Sequence, residues 1–136
     1  MSSNFTDTPI QVRWSDIDAL NHVNNAFYLS YFELGRLHFL TEKVNAEFFK
    51  EFSMVVARIE IDYLVPITMG DRITCRTWIN HAGNTSLIFG NLLFRDDKEI
   101  ISKGKVIAVF LDRNGQKSMV PEEIRNLVIS DSEALP

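Results

Sequence analysis

The sequence predicts an α+β fold in which one long central helix is wrapped by a curved antiparallel sheet of about five strands. Three observations predict it. From Ala26 to about Leu40 there is no proline, and apolar residues (Phe27, Leu29, Phe32, Leu34, Leu37, Phe39 and Leu40, with Tyr28 and Tyr31) stand on nearly every side. A helix that is apolar all round belongs in an interior. From residue 55 onward the chain alternates apolar and polar residues at a period of two, the pattern of half-buried strands. Only short turn signals separate those runs, so consecutive strands pair antiparallel. In a chain of 136 residues, only a sheet that curls round the helix can bury it.

The elements follow in order. Ile10, Val12 and Trp14 alternate with Gln11 and Arg13, a short strand over 10–14. A polar stretch comes next, Ser15-Asp16-Ile17-Asp18 and then Asn21-His22-Val23-Asn24-Asn25. Asn24 or Asn25 suits the N-cap of the long helix, because a side-chain oxygen there takes an orphan N–H. Strand 55–64 sets Ala57, Ile59, Ile61 and Tyr63 against Arg58, Glu60 and Asp62, and Pro66 ends it. Gly70-Asp71 marks a turn before strand 72–80, where Cys75 alternates with Ile73 and Ile79 as a core position. Gly83-Asn84 is a turn before strand 85–94, and Asp96-Asp97-Lys98 a turn before strand 100–111. Val106, Ala108 and Phe110 share one face of that last strand, with Lys103 and Lys105 on the other. Pro121 opens a short helix over 121–128. No linker or repeat interrupts the series, which reads as a single domain over 1–136.

Apolar residues make up 46% and charged residues 24%, the balance of a soluble globular domain. The net charge is −4 and no three basic residues run together, which argues against a nucleic-acid surface. Met1-Ser2-Ser3-Asn4 shows no secretory leader pattern. No apolar run approaches the ~20 residues of a membrane span. Cys75 is the one cysteine, so no intramolecular disulfide forms. The expected setting is a reducing cytoplasm. His22, His38, His81 and Cys75 lack ligand-pair spacing, so no metal is expected.

Residues 12–33 read Val-Arg-Trp-Ser-Asp-Ile-Asp-Ala-Leu-Asn-His-Val-Asn-Asn-Ala-Phe-Tyr-Leu-Ser-Tyr-Phe-Glu. An aromatic residue, Asp-x-Asp, a short loop, His-Val-Asn-Asn and an aromatic-rich helix follow one another at fixed spacing. This order resembles the N-terminal signature of the 4-hydroxybenzoyl-CoA thioesterase family of hotdog-fold proteins. The order of elements extends the resemblance over most of the chain. The resemblance implies a hotdog fold, a homodimer or homotetramer with its site between subunits, and hydrolysis of an acyl-CoA thioester without a cofactor. It implies that the second Asp of the pair, Asp18, is the catalytic carboxylate. It also implies that a backbone N–H near the helix start, at Asn25, polarises the thioester carbonyl. One position departs from the pattern: relatives often have Gly just before the His, where this chain has Asn21.

The chemistry stands without the family. A carboxylate serves thioester hydrolysis as general base or as nucleophile. A helix N-terminus offers aimed N–H groups and the positive end of the macrodipole to the developing oxyanion. Only seven residues carry the chain from Asp18 to Asn25, short enough to set both beside one carbonyl. Asp16 reads as a structural residue bonding loop amides. His22 stands either in the pocket or as a loop residue bonded to backbone. Glu33, two turns into the helix, reads as paired, with Arg36 three residues on, or as set at a dimer surface; the resemblance also makes it the reserve carboxylate, since some hotdog enzymes take theirs from this helix. His38 reads as a helix-surface residue. Coenzyme A carries phosphates, for which Arg58, Arg76, Lys103 and Lys105 are the basic groups available, each also suited to the solvent face of a strand. The resemblance implies in addition that the strand after the Gly83-Asn84 turn helps hold the nucleotide and pantetheine arm, which adds Asn84, Thr85 and Ser86, with Asn24, to the substrate-binding candidates.

Three other functions fit the same residues. A hotdog hydratase or dehydratase would pair His22 with Asp18 for proton transfer at carbon. A non-catalytic module would bind a thioester without turnover. A thioesterase could also act on an acyl-carrier-protein thioester in place of acyl-CoA.

Overall fold

The computed structural model describes residues 4–96 and 98–136. Met1-Ser2-Ser3 of the expected leaderless start and Asp97 of the expected 96–98 turn lie outside the described residues. The alternating runs form strands β1 (Phe5–Ile10), β2 (Phe52–Tyr63), β3 (Ile73–Ala82), β4 (Ser86–Arg95) and β5 (Ile100–Asp112). They make one sheet in the order β1-β3-β4-β5-β2, with every neighbouring pair antiparallel. Its inner face carries Ile73, Cys75, Thr77 and Ile79 of β3 and Val106, Ala108 and Phe110 of β5, all buried. Extra residues at Ala57 in β2 and Asn80 in β3 shift the register and bend the strands.

Helix α1 (Phe27–Lys43) lies across that inner face. Tyr28, Tyr31, Phe32, Gly35 and Phe39 recur at three- and four-residue spacing and are buried. Gly35 is one point of close approach to the sheet. A Cβ there would lie 2.4 Å from Thr77 Oγ1 and 2.7 Å from Cys75 Sγ, so only glycine lets the helix sit this near the sheet.

Several expectations need correction. The first strand runs over Phe5–Ile10, not 10–14. The pairing of Phe5 to Trp78 through Ile10 to Ile73 decides its position, and Pro9 is tolerated because β1 is an edge strand. Trp14 lies outside any strand and is 79% exposed. The helix is longer than expected and not buried all round, since Leu29, Leu34 and Leu37 face outward. A short helix α2 (Phe48–Glu51) precedes β2 and packs Phe48 on Phe52 and Phe110. The C-terminal helix is a single turn, α3 (Glu122–Arg125), followed by a second, α4 (Asp131–Ala134). The segment around α4 covers Trp78, Leu92 and Phe94 on the outer face of the sheet. Of these short helices only α3 is signalled in the sequence, by Pro121 at its start; α2 and α4 are too short to show a helical period.

Candidate active site

The polar stretch between β1 and α1 folds into a closed loop. A single 3-10 turn, Trp14–Asp16, leads in. Ile17 and Val23 then pair in an isolated antiparallel bridge, so residues 18–22 form a tight loop. Within it the Asp18 N–H donates to the His22 carbonyl at 2.8 Å, and the Asn21 N–H to the Asp18 carbonyl at 3.1 Å. The side chain of Asp18 is held by the same loop: Oδ1 accepts from the Leu20 N–H at 2.9 Å and the His22 N–H at 3.3 Å. Its Oδ2 accepts no hydrogen bond from the described residues, and the side chain is part-exposed. Asn21 turns the loop with φ of 67°, a left-handed conformation that glycine favours and asparagine tolerates. Asn21 thus adopts the backbone that a glycine at this position would supply.

Asp16 points the other way, into the core. Its Oδ2 accepts from the Tyr31 hydroxyl at 2.7 Å and the Arg13 N–H at 3.1 Å, and Oδ1 from the Arg13 guanidinium at 3.0 Å. Burial raises its pKa, but the bonds from Tyr31 and Arg13 together outweigh that and hold the carboxyl below the ordinary carboxylate range. The Tyr31 phenol moves up in turn, through burial first and the Asp16 carboxylate second.

From Val23 the chain is tied down residue by residue. The Val23 N–H donates to the Ile67 carbonyl and the Asn24 N–H to the Asp16 carbonyl, each at 2.8 Å. Asn24 Oδ1 accepts from the Ala26 N–H at 2.9 Å, and the Asn24 carbonyl from the Phe27 N–H at 2.9 Å. Ala26, already helical, occupies the N-cap position, so the expectation of an asparagine N-cap is corrected. Asn24 satisfies Ala26 from an Asx turn just outside the helix. The Asn25 N–H donates to no acceptor among the described residues. The Asn25 carbonyl accepts from the Tyr63 hydroxyl at 2.9 Å.

One loop and the helix start therefore gather Asp18, His22, Asn24 and Asn25. His22 meets Asp18 through its backbone N–H; its ring makes no hydrogen bond among the described residues. The other candidates lie elsewhere. Ser86 pairs with Val109, which pairs with Val55, while Tyr63 at the other end of β2 touches Asn25. At about 3.3 Å per strand residue, Asn84, Thr85 and Ser86 are about 25 Å along the sheet from that end. Arg58 is exposed on β2 and pairs with Glu60 at 3.1 Å. Arg76 is not on a solvent face: it is buried, bonded to Asp7 at 2.7 Å and 2.8 Å and to the Ala134 carbonyl at 2.9 Å, and stacked on the Phe5 ring. Lys103 and Lys105 are exposed on the outer face. Glu33 lies on the outward side of α1, and its charge acts on half-buried Arg36. His38 is half-buried, its Nδ1 2.7 Å from Thr8 Oγ1.

Sequence reasoning missed Tyr63 and Tyr31. Tyr63 ends an alternating strand and carries no local mark of its contact with a residue 38 positions earlier. Tyr31 is one of many aromatic residues on α1. Among the described residues, no group of three His, Cys, Asp or Glu could hold a metal ion, and no helix is long and apolar enough to cross a membrane.

Comparison with known proteins places this architecture. Residues 12–128 match the thioesterase-like superfamily. The chain is 35% identical to a thioesterase from Thermus thermophilus solved with coenzyme A and zinc; the match covers 88% of this chain and 94% of that one, with a TM-score of 0.77. It is 27% identical over 128 residues to a chloroplastic acyl-acyl carrier protein thioesterase of Arabidopsis thaliana, covering 91% of this chain and 67% of the relative. It is 26% identical over 110 residues to the acyl-CoA thioester hydrolase YbgC of Escherichia coli, covering 76% of this chain and 80% of the relative. The five-stranded sheet with α1 across its inner face is the hotdog fold of these structures.

Proposed function

The chain belongs to the thioesterase-like superfamily, and from that membership we infer that it hydrolyses an acyl-CoA thioester to a free carboxylic acid and coenzyme A. The motif over residues 12–33 allies it with the 4-hydroxybenzoyl-CoA thioesterase type. The observation that carries the catalytic reading is a juxtaposition. A carboxylate fixed by two backbone N–H groups, Asp18, shares one short loop with Asn25, whose N–H has no partner among the described residues.

In this mechanism the thioester carbonyl oxygen takes the Asn25 N–H, at the positive end of α1. Asp18 Oδ2 removes a proton from water as it attacks the carbonyl carbon, or attacks that carbon itself to give an anhydride that water opens. Either route collapses a tetrahedral oxyanion with cleavage of the C–S bond, and the sulfur leaves as the coenzyme A thiol once protonated. Asn24 positions the amide through its bond to Ala26. His22 lends its N–H to Asp18, an arrangement that favours hydrolysis over the (de)hydratase reading, which needs its ring.

We assign the working unit to a homodimer, with a homotetramer as its further pairing. Among the described residues the outer edge of β2 is unpaired, with Val55 and Val56 about half exposed, and exposed Leu37 of α1 lines a groove with them. Pairing two β2 edges antiparallel would bring the partner's Asn84–Ser86 end toward Tyr63 and Asn25. Those residues and Arg58 would then meet the coenzyme A arm. A buried, unpaired Cys75 suits a reducing cytoplasm.

The test is a thiol-release screen across acyl-CoAs from acetyl to palmitoyl, with benzoyl-CoA, run on the wild type and Asp18→Asn. Release from at least one substrate is expected. The variant should lose about 10³-fold or more in kcat with its circular dichroism unchanged. No release above buffer from any substrate sinks the proposal. Release from an acyl-carrier-protein thioester alone would move the substrate class to the carrier protein, the substrate named for the Arabidopsis relative.

A further inference from the structure

We infer that Tyr63 is a positioning residue for the oxyanion donor: its hydroxyl clamps the peptide after Asn25 so that the Asn25 N–H stays aimed outward. The inference rests on the hydrolase reading for its catalytic consequence, but the clamp itself is a property of the fold. Asn25 is exposed and lies before the first residue of α1, where a peptide has little to hold its plane. Here both flanking peptides are fixed. The peptide joining Asn25 to Ala26 is gripped at both ends: its N–H donates to Asn24 Oδ1 at 2.9 Å, and its carbonyl accepts from Tyr63 at 2.9 Å. The peptide joining Asn24 to Asn25 is held through its carbonyl by the Phe27 N–H at 2.9 Å. The Asn25 N–H alone is left over.

The helix does not supply the Tyr63 contact by itself. The backbone donor near the Asn25 carbonyl, the Tyr28 N–H, stands at 3.4 Å, beyond the usual range of about 2.7–3.2 Å. Tyr63 is in turn fixed, because its ring packs edge-on against Tyr28, with centroids 4.8 Å apart and an interplanar angle of 68°. Tyr28 is buried in the first turn of α1. Strand β2 thus reaches back from its last residue to set the geometry of a donor 38 positions earlier. A donor held this way needs no reorganisation when charge develops on the carbonyl oxygen.

Tyr63→Phe removes the hydroxyl and keeps the ring packing. Deleting an oxyanion donor outright costs about 10²–10³ in kcat; a loosened donor should cost about tenfold, with KM unchanged because ground-state contacts remain. The substrate is the acyl-CoA with the highest turnover in the screen above. Wild-type kcat in Tyr63→Phe, or a rise in KM with kcat unchanged, would overturn the inference. A second readout does not depend on turnover. The 15N order parameter of the Asn25 amide should fall in Tyr63→Phe while that of Val23, bonded to Ile67, stays the same. An unchanged Asn25 value overturns the clamp. Failure of the wild type to release thiol would sink the hydrolase reading, and the amide measurement would still decide the clamp.

Discussion

Tyr31, on the buried side of α1, donates its hydroxyl hydrogen to Asp16 Oδ2 at 2.7 Å, and this bond ties the loop bearing Asp18 to the helix whose start bears Asn25. The Asn24 N–H closes the same tie from the backbone by donating to the Asp16 carbonyl. Asp16 is fully buried, so its hydrogen bonds are not exchanged for water.

Replacing Asp16 therefore affects stability before chemistry. Asp16→Asn presents an N–H₂ to donors and loses the charge-assisted bonds, at a cost of about 2–3 kcal/mol. The pH dependence follows from the depressed pKa of the folded carboxyl. A depressed pKa contributes stability that is present above the unfolded value of about 3.9 and disappears as pH falls through the folded value. Urea unfolding of wild type and variant should differ most near neutrality, and the gap should narrow progressively as pH falls below ~4 toward and through the folded value. A gap that does not narrow at all on acidification would show that the carboxylate's charge is not the source.

Asn21 isolates the loop's backbone requirement. With φ of 67°, Asn21→Gly should be nearly neutral, whereas Asn21→Ala should cost about 1 kcal/mol through left-handed strain. The two variants compare in urea midpoint. Because Oδ1 of Asp18 is held by N–H groups on either side of Asn21, the alanine variant should also lose kcat. Equal stability of the glycine and alanine variants would remove the strain account.

What could be read in advance divides along physical lines. The period-two runs gave β3, β4 and β5 nearly to the residue, because each has an inner face such as Ile73, Cys75, Thr77 and Ile79 that is wholly buried. The polar loop from Asp18 to Asn25 leading into α1 was legible as a loop, since its bonds join residues close in sequence. Arg76 was misjudged because the C-terminal segment covers the outer face it occupies, and the Ala134 carbonyl that binds it is 58 positions away. Tyr63 was overlooked for the same reason. The strand at 10–14 was misplaced because Ile10 and Val12 are both buried and mimic alternation, while pairing with β3 selects residues 5–10.

Cys75 should be silent. Burial pushes its thiol up to about 12, and thiolate is the reactive form. Folded protein at pH 8 should therefore consume no disulfide reagent over the time of a thiol-release assay, and one equivalent after unfolding in guanidinium. Rapid labelling of the native protein would show that the β3–α1 interface opens. Loss of hydrolysis on labelling the native protein would point to a role for the thiol that its burial excludes.

Leu37 tests whether two copies make one site. It is 53% exposed on α1 and borders a groove of about 450 Å³ shared with Leu40, Phe49, Phe52, Met54 and Val55. That groove lies at the opposite end of β2 from Tyr63, so it can serve only the Asp18 of a second copy paired against it. Burying a leucine contributes about 1.5–3 kcal/mol, and a two-fold interface counts it twice. Leu37→Glu should then weaken association by at least about 3 kcal/mol, or roughly 100-fold in Kd. Sedimentation should show wild-type dimers or larger at micromolar concentration and Leu37→Glu monomers. Activity should fall as the dimer fraction falls and return at high protein concentration. A monomeric wild type with full turnover would mean that the groove takes no part in the site and that one chain is sufficient.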